Sequence, residues 1–326
     1  MNTETESSPE TYVLAEQIKV DVLTGLSASP KYMHSKYFYD TKGDELFRQI
    51  MQIPEYYLTD CEMEIFKDRC MDMLNTLSAF PNGFDLIELG AGDAIKSSEL
   101  LKCLVHNDIN FTYYPIDISG NVIQLLHDEL PKRIPGIDLQ GIQAEYFEGL
   151  KEVVSRSDRP KIILLLGANI GNMPPDEALE FCTLLREQLL EGDLLLIGFD
   201  LKKDPWVIFN AYNDQQGVTE QFNLNLLTRI NRELAADFNL QNFRHYESYD
   251  PTNGAGKSYL FSKTNQTVTV AGEEILFEEN ECIFMETSHK YSLKEVDHFA
   301  LKSGFEPVMH LMDSKKWFTD VIWKAV

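Results

Sequence analysis

The chain has 326 residues, 44% apolar and 25% charged, which is enough for one large domain or two ordinary ones around a sizeable core. Acids outnumber bases 52 to 29, a formal net charge of −23 spread along the chain. That balance argues against nucleic acid as a partner, because a reader of phosphate backbone needs a cationic face. No apolar run approaches the roughly 20 residues that span a bilayer, so no membrane partner is expected.

The opening stretch MNTETESSPETY is acidic and polar, the opposite of a signal peptide, and reads as a frayed tail before a first helix. A cytoplasmic location is expected. Cys61, Cys70, Cys103, Cys182 and Cys282 are odd in number, scattered, and form no CxxC pair. They read as reduced thiols, with neither a disulfide framework nor a zinc site indicated.

From Phe84 onward strand and helix alternate. Phe84–Leu89 (FDLIEL) and Asn110–Asp117 (NFTYYPID) read as strands, the second followed by a helix with Val122, Ile123, Leu126 and Leu130 on one face. Lys161–Gly167 and Asp193–Phe199 are near-continuous apolar runs, as expected of strands buried on both faces. Between them Asp176–Leu189 carries Leu179, Cys182, Leu185 and Leu189 at helical spacing. This order predicts an open parallel sheet flanked by helices. After residue 200 the rhythm changes. Phe222–Phe238 reads as a helix and Gln266–Glu286 as antiparallel strands around an Ala-Gly turn. Leu293–Val326 reads as a helix, a stop at Gly304, and strands that return to the first sheet. A second lobe inserted in a nucleotide-binding core is the implied organisation.

Glu88-Leu89-Gly90-Ala91-Gly92 falls where a buried strand turns into a helix. Glycines there let the backbone approach a ligand, and a helix start offers free N–H groups. The dinucleotide fingerprint wants a third glycine where this chain has Ile95, which disfavours a nicotinamide dehydrogenase. An acid two residues before the first glycine is instead the pattern of class I methyltransferases. Asp117, ending the next strand, is placed to bind the ribose hydroxyls of adenosine. The competing reading is a glycine turn of another α/β protein, with Asp117 capping the following helix.

Further blocks carry a resemblance. They are YFYDTKGDELFRQIMQIPEYY (37–57), LGANIGNM (166–173), AYNDQQGVTEQFNLNLLTRINRELAADF (211–238) and ETS (286–288). In order, from about residue 30 to the C-terminus, they resemble the histidine-specific Nα-methyltransferases of the ergothioneine pathway. The resemblance implies an α/β fold: a class I Rossmann-like methyltransferase core, residues 58–200 and 290–326, with a second α+β substrate-binding lobe, residues 10–57 and 201–289. It implies S-adenosylmethionine as methyl donor, no metal, a small-molecule amino-acid substrate, and a monomer.

Residue by residue, Gly90, Lys96 and Asp117 match cofactor contacts, and Glu145-Tyr146 falls where the family has Asp-Phe beside the adenine. Tyr56, Asn172 and Tyr212 match positions that hold the substrate's carboxylate and amine. An Asn amide carries both donor and acceptor and suits that task. Glu286 and Ser288 match the pair that binds the imidazole, and Tyr39 matches the tyrosine beside the methylated amine. Plainer readings stand beside these: Tyr39 and Tyr56 as buried aromatics, Tyr57 as core packing, Glu286 as a surface acid at a strand end, Asn172 as a cap for the helix near Pro174. Leu58 and Asp60 depart from the family, which more often has Pro and Arg there. The expected activity is Nα-methylation of free histidine, carried to the trimethylated betaine, hercynine. The alternatives are another free amino acid such as tryptophan, or a non-catalytic module that binds S-adenosylmethionine.

Overall fold

The computed structural model describes residues 9–77 and 80–326. The chain divides into two compact units, Met1–Tyr56 with Asp204–Ser288 (the first unit) and Tyr57–Lys203 with His289–Val326 (the second). The expected tail is helical from Pro9, the start of the helix Pro9–Ser27, and the rest of it lies outside the described residues.

The second unit is built on seven strands. Ile142–Gln143, Phe111–Asp117, Phe84–Leu89, Lys161–Leu165 and Leu194–Asp200 follow one another in parallel. Phe318–Ala325 then pairs antiparallel with Leu194–Asp200, and Phe305–Met312 antiparallel with Phe318–Ala325. Helices such as Ser97–His106, Gly120–Arg133, Tyr146–Arg156 and Pro175–Glu187 alternate with the parallel strands. Phe84–Leu89 and Leu194–Asp200 are buried at every residue, which is why they carry no polar alternation. Strand order reverses at Phe84–Leu89: Phe111–Asp117 and then Ile142–Gln143 extend to one side of it, and the chain then crosses to Lys161–Leu165 on its other side. At such a reversal the loops beyond the carboxyl ends diverge and leave a crevice for a ligand. The open parallel sheet expected from the alternation and the Rossmann-like core implied by the resemblance are present, with the C-terminal strands at its edge.

The first unit is α+β. A four-stranded sheet runs in the order Lys31–Tyr32, Cys282–His289, Ala255–Ser262, Phe243–Asp250. Its core joins Ile18, Val22 and Leu26 of the first helix to Phe222, Leu226 and Ile230 of the helix Val218–Glu233, and to Leu260, Ile283 and Met285 from the strands. That helix was expected over Phe222–Phe238. It starts earlier because Asp214 accepts the backbone N–H groups of Val218 at 2.9 Å and Thr219 at 2.8 Å, and it ends at Glu233, ahead of Ala235 in a left-handed conformation (φ 49°).

The strands expected over Gln266–Glu286 belong to two sheets. Gln266–Val270 and Glu273–Phe277 form an antiparallel hairpin, whereas Cys282–His289 joins the four-stranded sheet, the two runs separated at Asn280 with φ 68°. The long hairpin Phe243–Asp250/Ala255–Ser262 was not anticipated, because its exposed positions make the sequence largely polar. The thiol reading is corrected at two positions. Cys70 and Cys103 are joined in a disulfide with Cα atoms 6.6 Å apart, while Cys61, Cys182 and Cys282 are free. The two are 33 residues apart, and only the packing of Cys70–Leu77 against Ser97–His106 brings them together.

The YDTKG block has a local explanation. Asp40 caps the helix Thr41–Ile50, accepting Gly43 N–H at 2.8 Å, and also accepts from Asn225 at 2.9 Å and Arg232 at 2.8 Å. One carboxylate thus ties this helix to Val218–Glu233 and fixes the backbone that carries Tyr39. Replacing Asp40 by Ala removes a cap and a part-buried ion pair, and is expected to cost about 2 kcal/mol in urea denaturation.

Candidate active site

In the second unit, candidate residues gather at the carboxyl ends of the parallel strands. Gly90 follows Phe84–Leu89 directly with φ 71°, and a Cβ there would lie 2.7 Å from the Tyr146 hydroxyl. Only glycine lets the strand end turn while Tyr146 passes so close. A Cβ built at Gly92, by contrast, meets nothing within 4 Å, so the turn opens on free space. Asp117 does not cap the next helix. Ser119 does that, and Asp117 accepts Ser119 N–H at 2.9 Å on one oxygen and Gly92 N–H at 3.2 Å on the other. The carboxylate therefore bridges the two loops at the strand reversal. Tyr146 opens the helix Tyr146–Arg156 after the exposed Glu145. Burial first, then the charges of Asp117 and Glu145, push its phenol up to about 12. It stays a neutral ring with a hydroxyl. A glycine turn, an acid at the next strand end and an aromatic wall form a cradle that suits an adenosyl group.

Lys96, just beyond that turn, is half-buried against charge. Its ammonium ion-pairs with Glu62, whose other oxygen accepts Gly167 N–H at 2.7 Å. Asp320 lies beside this pair. Burial and the Glu62 charge push its carboxyl well above the carboxylate range, with Lys96 opposing them, and among the described residues neither oxygen has a hydrogen-bond partner. Glu88 is also buried. It accepts the Tyr113 hydroxyl at 2.5 Å, and burial raises its pKa to about 7 against lowering by Tyr113, Ser97 and Lys96. Asn172 ends the short turn Asn169–Asn172 after Lys161–Leu165 and is exposed. It does not cap the following helix, whose N-terminal flank is Pro174 with no side-chain cap.

In the first unit, the other candidates form a wall. Tyr39 and Tyr56 both meet Phe47 edge-on, with ring centroids 5.8 and 6.4 Å apart. Tyr56 also meets Tyr212 at 6.0 Å, and the Tyr212 hydroxyl is 2.8 Å from Ser288 Oγ. Tyr39, Tyr56, Tyr212 and Ser288 are thereby one connected surface, with Phe47 as its unpredicted member. Glu286 and Ser288 point to the same face of Cys282–His289, opposite the buried Ile283 and Met285. Tyr57, left open between core and site, is core: it is buried and donates to Asp200 at 2.8 Å.

Comparison with known proteins bears on the whole chain. Residues 18–325 match the model of the family described as "Histidine-specific methyltransferase, SAM-dependent". A histidine N-alpha-methyltransferase of Mycolicibacterium smegmatis is 32% identical over 94% of this chain and 92% of its own length. The chain belongs to the histidine-specific, S-adenosylmethionine-dependent methyltransferase family. More distantly, the ergothioneine biosynthesis protein 1 of Neurospora crassa is 29% identical over 86% of this chain and 32% of its own. A 4-dimethylallyltryptophan N-methyltransferase of Claviceps fusiformis is 29% identical over 67% of this chain and 62% of its own.

Sequence reasoning about this methyltransferase missed Glu62 and Asp320. A signal existed for Glu62: on Tyr57–Asp68 it occupies the stripe of Leu58, Ile65 and Phe66, a lone acid on an apolar face. Asp60, the departure from the family, is exposed in the first turn of the same helix, where an acid suits the helix dipole. Glu88 supplies a test by pH. Its folded pKa lies above the unfolded value near 4.5, so its stabilising contribution is complete below that value and lost as pH rises through about 7. Glu88→Gln cannot ionise, so relative to wild type it is expected to gain on the order of 3 kcal/mol between pH 4.5 and 8, read by urea denaturation.

Proposed function

We propose that the chain transfers methyl groups to the α-amine of free L-histidine, three in succession, to give the betaine hercynine. It would act in the cytoplasm and as a monomer. The observation that carries the substrate assignment is the contact between Tyr212 and Ser288. It ties a residue assigned to the amino acid's carboxylate to the strand face that presents Glu286.

The methyl donor S-adenosylmethionine supplies a methyl group already activated on a sulfonium. Gly90, Lys96, Asp117, Glu145 and Tyr146 are assigned to hold it, Asp117 through the ribose hydroxyls and Tyr146 beside the base. The work left to the chain is to orient the amine and to remove its protons. Tyr56, Asn172 and Tyr212 fix the carboxylate and amine, and Glu286 with Ser288 fixes the imidazole. A residue that holds only the amine loses donors to grip with each methyl added. Intermediates are therefore retained by their two unchanging ends. Each attack needs a neutral nitrogen, so three methylations release three protons. Tyr39, 42% exposed, is assigned to orient the amine and pass its proton to water.

Tryptophan is the competing substrate, and mass spectrometry of a panel of free amino acids incubated with enzyme and methyl donor decides between them. Three successive methyl additions on histidine and none on tryptophan are expected; the reverse pattern ends the proposal. Glu286→Ala removes a charged acceptor, so histidine binding should weaken about 10–100-fold with cofactor binding unchanged, measured by calorimetry. Asp117→Ala is expected to lower S-adenosylmethionine affinity about tenfold or more in equilibrium dialysis, with no effect on folding cooperativity.

A further inference from the structure

The chain passes between its two units at three places: Tyr56/Tyr57, Lys203/Asp204 and Ser288/His289. On the second unit's side, each passage has a residue bonded to one buried carboxylate. Asp200, the last residue of Leu194–Asp200, accepts the Tyr57 hydroxyl at 3.0 and 2.8 Å on its two oxygens. Lys203 ion-pairs with it and donates to the Tyr57 hydroxyl at 2.8 Å. Lys290 reaches its other oxygen at 2.9 Å.

The backbone repeats the arrangement. Tyr291 N–H donates to Asp200 C=O and Lys202 N–H to Tyr291 C=O, both at 2.9 Å, so the second and third passages run side by side. The third is also pressed on the loop of Asn172: a Cβ at Gly171 would meet His289 C=O at 2.7 Å.

We infer that Asp200 is a positioning residue for the amino-acid substrate. Its carboxylate gathers Tyr57, Lys203 and Lys290 and so fixes the points from which the neighbouring Tyr56 and Ser288 extend. The inference rests on the assignment of Tyr56 and Ser288 to the substrate.

Two ammonium groups meet one fully buried carboxylate, and removing its charge would deprive both of that compensation. Burial works against the Asp200 charge, but Lys290 and Lys203 outweigh it and hold the carboxyl below its usual range. Burial pulls the Lys203 ammonium below the ordinary lysine value despite Asp200. Lys203 thus depends on that carboxylate to remain charged indoors. Tyr56 is bonded directly to Tyr57, and Ser288 is two residues from Lys290, so slack at the anchor reaches both within one or two peptide units. The contacts described for Gly90, Asp117 and Tyr146 run instead to one another and to Gly92 and Ser119.

The test is a set of steady-state and binding measurements on the full chain. Asp200→Asn keeps the size and loses the charge. Histidine KM is expected to rise about tenfold while S-adenosylmethionine Kd stays within about twofold. A role confined to stability would shrink the active fraction, lowering kcat with histidine KM unchanged, and that result overturns the inference. Should Asp200→Asn lack a cooperative melt, Tyr57→Phe decides on the same readouts with a rise of about threefold, since it keeps the ring packed on Trp317 and removes only the bridging hydroxyl. Ser288→Ala and Tyr56→Phe separate the two levels. If neither weakens histidine binding, the substrate assignment fails. If both do and Asp200→Asn does not, the assignment stands and the positioning role falls.

Discussion

Charge buried at the carboxyl ends of one sheet is the constraint on which the rest of this molecule turns. Glu62, Glu88, Asp200 and Asp320 are all buried there, with Lys96, Lys203 and Lys290 among them. Each ion taken out of water costs several kcal/mol unless a partner of good geometry compensates. The chain meets that cost in two ways. Asp200 is kept charged by two ammonium groups, whereas Glu88 and Asp320 are pushed toward the neutral acid. The sheet supplies the geometry, because its parallel strands end together and set their last residues side by side. Replacing buried ion pairs by well-packed hydrocarbon of similar volume is often neutral or stabilising. Polar groups are retained at this end of the sheet, where the strand order reverses and a ligand crevice opens, while the amino ends bury a smaller set among the described residues, Asp85 with Lys161 and Asp193.

The extent to which this was legible follows from the range of each interaction. Strands buried on both faces advertise themselves as apolar runs, so Phe84–Leu89, Lys161–Leu165 and Leu194–Asp200 could be placed within a residue or two. The glycine turn and Asp117 were visible because strand ends carry few residue types for good reason, and the structure joins them through Gly92 N–H. The first unit was harder. Phe243–Asp250 is half exposed and reads as polar, and the run from Ile275 to Glu286 changes sheet at a left-handed asparagine, an event no periodicity records. The cluster on Asp200 was invisible for a different reason. Tyr57, Lys203 and Lys290 lie at sequence separations of 143, 3 and 90 from it, and two of the three are lysines, the residue type least expected indoors. The disulfide of Cys70 and Cys103 belongs to the same class, decided by helix packing and by nothing local.

The proposed preference for an imidazole over an indole can be argued from hydrogen-bond direction. A neutral imidazole offers one N–H and one bare nitrogen, whereas an indole offers one N–H and no acceptor. Glu286, when ionised, only accepts, so it suits the N–H of either ring. The discrimination must then come from Ser288. Its hydroxyl is shared with Tyr212, and either oxygen can be the donor. When Tyr212 donates, the Ser288 hydroxyl can donate in turn, and in the proposed site histidine would offer it a bare nitrogen where tryptophan offers only carbon. An unmet buried hydroxyl costs about 1–3 kcal/mol, and a pocket built to donate to its substrate rejects an analogue without the acceptor more strongly than it rejects a change of size. Tyr212 would thus serve at both ends of the amino acid, contacting the carboxylate and setting the direction of the hydroxyl that reads the ring. A substitution at Tyr212 then alters specificity as well as affinity.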